Sequence, residues 1–259
     1  PMEFETLRYA VEANVAWVTL DRPERMNGLN AAMRQELLAA LTRAPEEARA
    51  LVLTGAGRGF CSGQDLGDAS RFDQLNLEET LREEYEPLLA RLGGCPVPVI
   101  AAVNGPAAGA GANMALACDI VIAGESASFI EAFARIGLIP DAGGTFWLPR
   151  LVGHARAMGM CLLTDPIPAR QAAEWGLIWE AVADEALIPR ADELARRLAE
   201  GPTEAFRLMK RALRASAANG LQDQLALEAE LQGEAGRTRD FREGVLAFLE
   251  KRSPRFEGR

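Results

Sequence analysis

Histidine is nearly missing from this chain: across 259 residues His154 stands alone, so catalysis by several histidines is excluded. The four cysteines, Cys61, Cys95, Cys118 and Cys161, lie far apart without CxxC or Cys/His spacing. That leaves no zinc-site pattern and no evident disulfide framework; reduced thiols and a cytoplasmic setting are expected. No apolar run approaches the roughly 20 residues of a membrane helix. Residues 1–9 show no basic segment followed by an apolar one, so no signal peptide is expected. Positive charge is also short, with 28 Lys and Arg against 37 Asp and Glu, a net −9. This argues against nucleic acid as the main partner, although a local helix N-terminus can still bind an anion. What is present, 49% hydrophobic and 25% charged residues, is an ordinary globular composition, and the length suits one large domain or two small ones.

Period-2 runs at 4–9 and 15–20 predict a hairpin. Asp21-Arg22-Pro23 stops the second strand, and Asn30 caps a helix over 31–43. A short buried strand, 50–54, runs into a glycine-rich turn. A charged helix at 77–92 follows, then a strand at 99–103, a small-residue helix at 107–117 and a strand at 119–123. This alternation predicts an α/β core. After Pro149 the pattern turns almost wholly helical, with segments at 169–175, 185–200, 203–219, 221–234 and 239–250. A helical tail after a complete α/β core either folds back or builds a subunit contact, and oligomerisation is expected.

Three segments carry candidate chemistry. Residues 59–66 (GFCSGQDL) follow the buried strand. They read either as a plain turn or as a place where backbone N–H groups approach a ligand without a Cβ in the way. No Gly-Lys-Ser/Thr and no GxGxxG follows, and Cys61 has no evident histidine base. Residues 103–113 (VNGPAAGAGAN) hold six Gly or Ala from 107 to 112 at an expected helix start. They suit close helix packing, or an oxyanion site of free N–H donors. In 136–145 (IGLIPDAGGT), Asp141 lies among uncharged residues between Pro140 and a Gly-Gly pair. It is either a helix cap or a general acid/base whose pKa is raised by apolar neighbours.

In this order and spacing, together with VAWVTLDRP (15–23), RMN (25–27), PVIAAVNG (98–105) and CDIVIA (118–123), these segments resemble the crotonase superfamily of enoyl-CoA hydratases and isomerases. The resemblance covers nearly the whole chain. It implies a crotonase-like α/β spiral of β-β-α units over residues 1–195 and a helical trimerisation region over 196–259. It further implies an acyl-CoA substrate, a homotrimer or dimer of trimers, and no cofactor or metal beyond the CoA carried by the substrate. By position, the two oxyanion-hole N–H groups fall on Ser62 and Ala110. Gly63, Gln64 and Asp65 lie along the path of the CoA, and a neighbouring subunit's C-terminal helix is expected to add contacts.

The family's hydratases use two glutamates to handle water. Where they belong, this chain has Asn113 and Phe133, neither of which exchanges a proton with water at neutral pH. Glu131, two positions from Phe133, is a challenger that the family alignment disfavours, and it reads as a surface or structural carboxylate. Asp141 therefore remains as the single acid/base, which suits proton transfer between carbons and hence isomerisation. Segments 137–145, 156–159, 174–179 and 242–254 look most like the family's aryl-epoxide CoA isomerases; a Δ3,Δ2-enoyl-CoA isomerase shares site and mechanism. Ile130 and Phe133 either line an aryl pocket or pack the core. His154 reads as a surface or capping residue, and Lys251 and Arg252 as a solvated charge run or CoA-phosphate contacts. A non-catalytic acyl-CoA- or RNA-binding module is the alternative of another class.

Overall fold

The computed structural model describes residues 3–67 and 75–259. It opens with the hairpin of β1 (Leu7–Glu12) and β2 (Val15–Leu20). Ala13 and Asn14 both take positive φ, 49° and 61°, the left-handed pair that matches the twist of a two-residue hairpin. This turn sets Glu12 opposite Val15, so the first strand lies three residues beyond the expected 4–9. Asn30 does cap α1 (Ala31–Glu47), its side chain accepting from the Met33 N–H at 2.9 Å.

Next come β3 (Ala50–Gly55), α2 (Leu77–Thr80), a π-helical turn (Leu81–Tyr85), α3 (Glu86–Gly93) and β4 (Val99–Val103). The helix expected from 107 starts later. Residues Ala107–Ala108 form β5 by pairing with Phe129 and Ile130, and only then does α4 (Ala110–Leu116) begin. After β6 (Ile120–Gly124) and β7 (Ser128–Ile130), a 3-10 turn (Ala132–Ile136) leads to α5 (Gly144–Leu163). The chain continues through β8 (Ile167–Pro168), α6 (Ala169–Glu174), β9 (Glu180–Val182), α7 (Leu187–Ala199), α8 (Thr203–Ala215), α9 (Leu221–Ala235) and α10 (Arg239–Glu250). The stretch after Pro149, expected to be almost wholly helical, is so apart from the short β8 and β9, and β9 adds a parallel strand against β6, with Ile122 opposite Glu180.

The main sheet has the order β1-β2-β3-β4-β6-β9, parallel except for the hairpin, and β5-β7-β8 form a small mixed sheet. Both faces of the parallel strands are covered, as such sheets require. Leu51, Leu53, Val99, Ala101 and Val103 join the core with residues of α1, α3 and α4. Their alternating neighbours Val52, Ile100, Ala102 and Ile122 pack with Leu187, Ala191, Leu194 and Ala195 of α7. Burial of each large aliphatic side chain here contributes about 1.5–3 kcal/mol. Among the described residues, no helix is long and apolar enough to cross a membrane.

The last helices dock on this body through charge. Asp119, at the end of α4's exit loop, pairs with Lys210 (2.7 Å) and Arg214 (2.8 Å) of α8 and accepts the Val99 N–H. The outer faces of α8 to α10 keep large apolar residues exposed, among them Leu213, Leu225, Phe248 and Leu249.

Candidate active site

The site forms where the two sheets meet. Beyond β3, Asn27 pins the glycine-rich turn. It is wholly buried, its Nδ2 donates to the carbonyls of Ala56, Gly59 and Phe60, and its Oδ1 accepts the Arg22 N–H. The chain then runs past Leu29 in a parallel bridge with Gln64, in which the Leu29 N–H donates to Gly63 O and the Asp65 N–H to Leu29 O. Because neighbouring residues of an extended segment use opposite edges, the Gln64 N–H points away from Leu29. Across from it, Gly109 anchors its own N–H on Ile130 O at 2.9 Å and α4 begins at Ala110. The Ala110 N–H, in the first helical turn, has no intrahelical acceptor.

Gly63 brings these two segments together. Its φ is +92°, and a Cβ there would stand 2.9 Å from Ala108 O and 3.4 Å from the Ala110 nitrogen. The Ser62 N–H, by contrast, donates to Met26 O at 2.9 Å. The structure therefore corrects the Ser62 assignment: that donor is already engaged, and the neighbouring Gln64 N–H, on the opposite edge, is the candidate in its place.

A pocket of about 140 Å³ opens in front of these donors, and Ser62, Gly63, Gln64, Ala110, Phe133 and Asp141 all line it. Leu66, Leu77, Ile136 and Leu138 make its apolar rim. Of the remaining sequence-predicted residues, Asp65 faces elsewhere, in an ion pair with Arg22 at 2.9 Å, and accepts the Gly67 N–H. That hydrogen bond and Arg22 hold its carboxyl below the usual range. Ile130 does not line the pocket; its backbone carries Gly109 instead, because β7 pairs there with β5. Asn113 is fully buried behind the wall. His154 is exposed just past a kink in α5 at Gly153. Arg252 is tied to Glu243 and Glu250. Burial pushes the Cys61 thiol up to about 12, which removes it as a nucleophile.

Among the described residues, Asp141 is the single carboxylate lining the pocket. It sits on a tight turn in which Ala142 (φ 49°) and Gly143 (φ 84°) are both left-handed, a conformation that costs an alanine about 1–2 kcal/mol. The turn is clamped at the Asp141 carbonyl, which accepts from Asn113 Nδ2 (2.8 Å) and from the Gly144 N–H (2.9 Å). Asp141 Oδ1 is buried without a hydrogen-bond partner among the described residues. Desolvation by burial raises its pKa from 3.8 to about 6, with its own backbone N–H pulling the other way. Such a group is poised to exchange protons near neutrality.

Two neighbours bear on this group: Glu131, expected to be a surface or structural carboxylate, and Tyr85, which the sequence does not flag. Glu131 is only 1% exposed, so the surface alternative fails. Burial raises its pKa from 4.5 to about 7; Asn113 opposes this and the Asp141 charge adds to it. Tyr85, from the π-helical turn, is 2% exposed, its hydroxyl has no partner among the described residues, and Arg34 lies over its ring at 5.2 Å. A π turn in a helix is often a functional mark; the charged run at 77–92 gave no hint of it.

The comparisons agree on the family. The enoyl-CoA hydratase/isomerase family model matches residues 10–259. A Rhodobacter capsulatus protein named "Probable enoyl-CoA hydratase" is 62% identical over all of both chains. The 1,2-epoxyphenylacetyl-CoA isomerase of Escherichia coli is 50% identical, covering 96% of this chain and 97% of its own. A Mycobacterium abscessus crystal structure, provisionally named an enoyl-CoA hydratase/isomerase, is similar with TM-score 0.92 and 44% identity, over 98% of this chain and 100% of that one.

Proposed function

The chain belongs to the enoyl-CoA hydratase/isomerase family and acts on acyl-CoA thioesters, and we propose that within it this protein is an isomerase working by proton transfer through Asp141. The observation that carries the reading is the pocket's inventory: among the described residues, two backbone N–H groups without an acceptor, on Gln64 and Ala110, and a single carboxylate, Asp141, belong to its lining. The thioester oxygen binds between those donors, which stabilise the negative charge that develops when a proton leaves the α-carbon. Asp141, ionised above about pH 6, takes that proton and returns it to another carbon of the same conjugated system. The base ends as it began, and the double bond has moved.

Water addition needs a second group to activate water. The two positions where the family's hydratases keep glutamates hold Phe133, which walls the pocket, and Asn113, buried and committed to the Asp141 carbonyl. This supports isomerisation over the hydratase name of the 62% identical relative. The 50% identity to an epoxyphenylacetyl-CoA isomerase supports 1,2-epoxyphenylacetyl-CoA as the substrate and oxepin-CoA as the product. The rim of Leu66, Leu77, Ile136 and Leu138 suits an aryl or alkyl acyl group, so a Δ3,Δ2-enoyl-CoA shift is the second reaction to assay. For the assembly, residues from 196 onward are the proposed oligomerisation region of a homotrimer or dimer of trimers. Its support is the apolar face of α8 to α10.

The test is a paired assay of ring-epoxidised phenylacetyl-CoA and a 3-enoyl-CoA, with products separated by chromatography. Isomerised products and no 3-hydroxyacyl-CoA are expected. Asp141→Asn should lose about 10²–10⁴ in kcat while still binding a saturated acyl-CoA. Efficient hydration of a 2-enoyl-CoA, or near-normal turnover by the variant, overturns the assignment.

A further inference from the structure

We infer that Glu131 is a positioning residue for Asp141: as an un-ionised carboxylic acid it pairs in both directions with the Asn113 amide, and the amide so held clamps the Asp141 turn. This rests on the reading of Asp141 as the base. Asn113 Nδ2 donates to Asp141 O at 2.8 Å and to Glu131 Oε2 at 3.4 Å. The approach of α5 is so close that a Cβ on Gly144 would lie 2.4 Å from that nitrogen, so the amide cannot drift without moving the turn.

Each of these two side chains has one oxygen left over. Asn113 Oδ1 and Glu131 Oε1 are both buried with no partner among the described residues. An ionised carboxylate offers only acceptors, so it leaves both oxygens unsatisfied, at a cost of about 1–3 kcal/mol for each buried group. One proton on Glu131 resolves both. Its O–H then donates to Asn113 Oδ1 while Nδ2 donates back, a closed acid–amide pair.

The surroundings favour the neutral form. The titratable groups that bear on Glu131 are Asp141, from the turn before α5, and Cys161, from α5; Asn113 from α4 is its neutral partner. None is a cation, and a buried charge without one is expensive. Burial sets the loss of that proton near pH 7, above the ionisation of Asp141 near 6. Ionised Glu131 withdraws its hydrogen bond from Asn113 and brings a second negative charge toward Asp141. Isomerisation should therefore rise as Asp141 ionises and fall as Glu131 does.

The experiment is the pH dependence of kcat for the full-length enzyme and for Glu131→Gln, whose amide imitates the neutral acid. The wild type should lose about tenfold per pH unit on the alkaline side, and the variant should keep its rate there with the acidic limb unchanged. An alkaline limb that persists in Glu131→Gln overturns the inference. Independently of turnover, a ¹³C-carboxyl NMR titration of glutamate-labelled protein reads the proton directly. The resonance that Glu131→Gln removes should titrate near 7, and should move down in Asp141→Asn, where the neighbouring charge is gone. Titration with the bulk glutamates also overturns the inference, even if a variant folds poorly. Full activity in Asp141→Asn would instead sink the base assignment alone, since the NMR result stands without it.

Discussion

Replacing Gly63 by alanine isolates the oxyanion hole from the base. The added Cβ must find room 2.9 Å from Ala108 O and 3.4 Å from the Ala110 nitrogen, at a φ of +92°. Both neighbours are backbone, so neither can rotate aside, and the β3 turn and the start of α4 must move apart by a few tenths of an ångström. Two effects follow. The positive φ costs about 1–2 kcal/mol of stability, which for a chain of this size lowers Tm by about 2–8 °C. Separately, the Gln64 and Ala110 N–H groups no longer converge on one oxygen. Loss of one such donor costs about 10²–10³ in kcat, or roughly 3–4 kcal/mol of transition-state stabilisation, while KM, which reflects the rest of the CoA, should change little. Gly153→Ala is the control: its φ is also positive, +78°, but a Cβ there meets nothing within 4 Å. Steady-state kinetics and thermal melts on both variants decide the matter. A folded Gly63→Ala enzyme with near wild-type kcat, or equal loss of activity in the Gly153 control, refutes the placement of the hole.

Other expectations follow from the same geometry. Below pH 6 the rate should fall about tenfold per unit as Asp141 takes up its proton, seen in kcat–pH profiles. Asp141→Asn should also be more stable than the wild type above pH 6. The folded-state pKa, about 6, lies above the unfolded 3.8, so ionisation opposes folding progressively between those values, and the gain in Tm should vanish near pH 3.8. Asn27→Ala should lower Tm by about 8–16 °C, because three carbonyls and the Arg22 N–H lose a buried partner together and each costs about 1 kcal/mol or more; a drop of only a degree or two would deny the turn its anchor.

How far the sequence could be read depends on the range of the interaction that fixes each feature. The C-terminal helices were legible because a 3.6-residue apolar period is local: α8, α9 and α10 begin where expected, at Thr203, Leu221 and Arg239. The two-residue β5 was not, since Ala107 and Ala108 become a strand only through Phe129 and Ile130, and alanine repeats otherwise favour helix. Asp141 stood out as one charge in an uncharged run beside a Gly-Gly pair, which is again local information. That the Ser62 N–H is engaged with Met26 O was not legible, because the choice between neighbouring N–H groups is a question of register. That register is set by Leu29, on a segment remote in sequence, and a slip of one residue reverses which edge a group faces.

Glu131 shows the same limit in chemical form. Nothing in the order of the letters distinguishes a solvated glutamate from one at 1% exposure, because its burial depends on partners distant in sequence, Asn113 of α4 among them. Its spacing from Phe133 invited comparison with a missing catalytic glutamate. Its contacts give it another task, which is to hold Asn113 while Asn113 holds the base. A site with one working carboxylate thus contains two, and the second is useful only while it stays neutral. For that reason a substitution that removes its charge, Glu131→Gln, should be milder at alkaline pH than the native residue. A motif comparison that scores only charge would not anticipate that result.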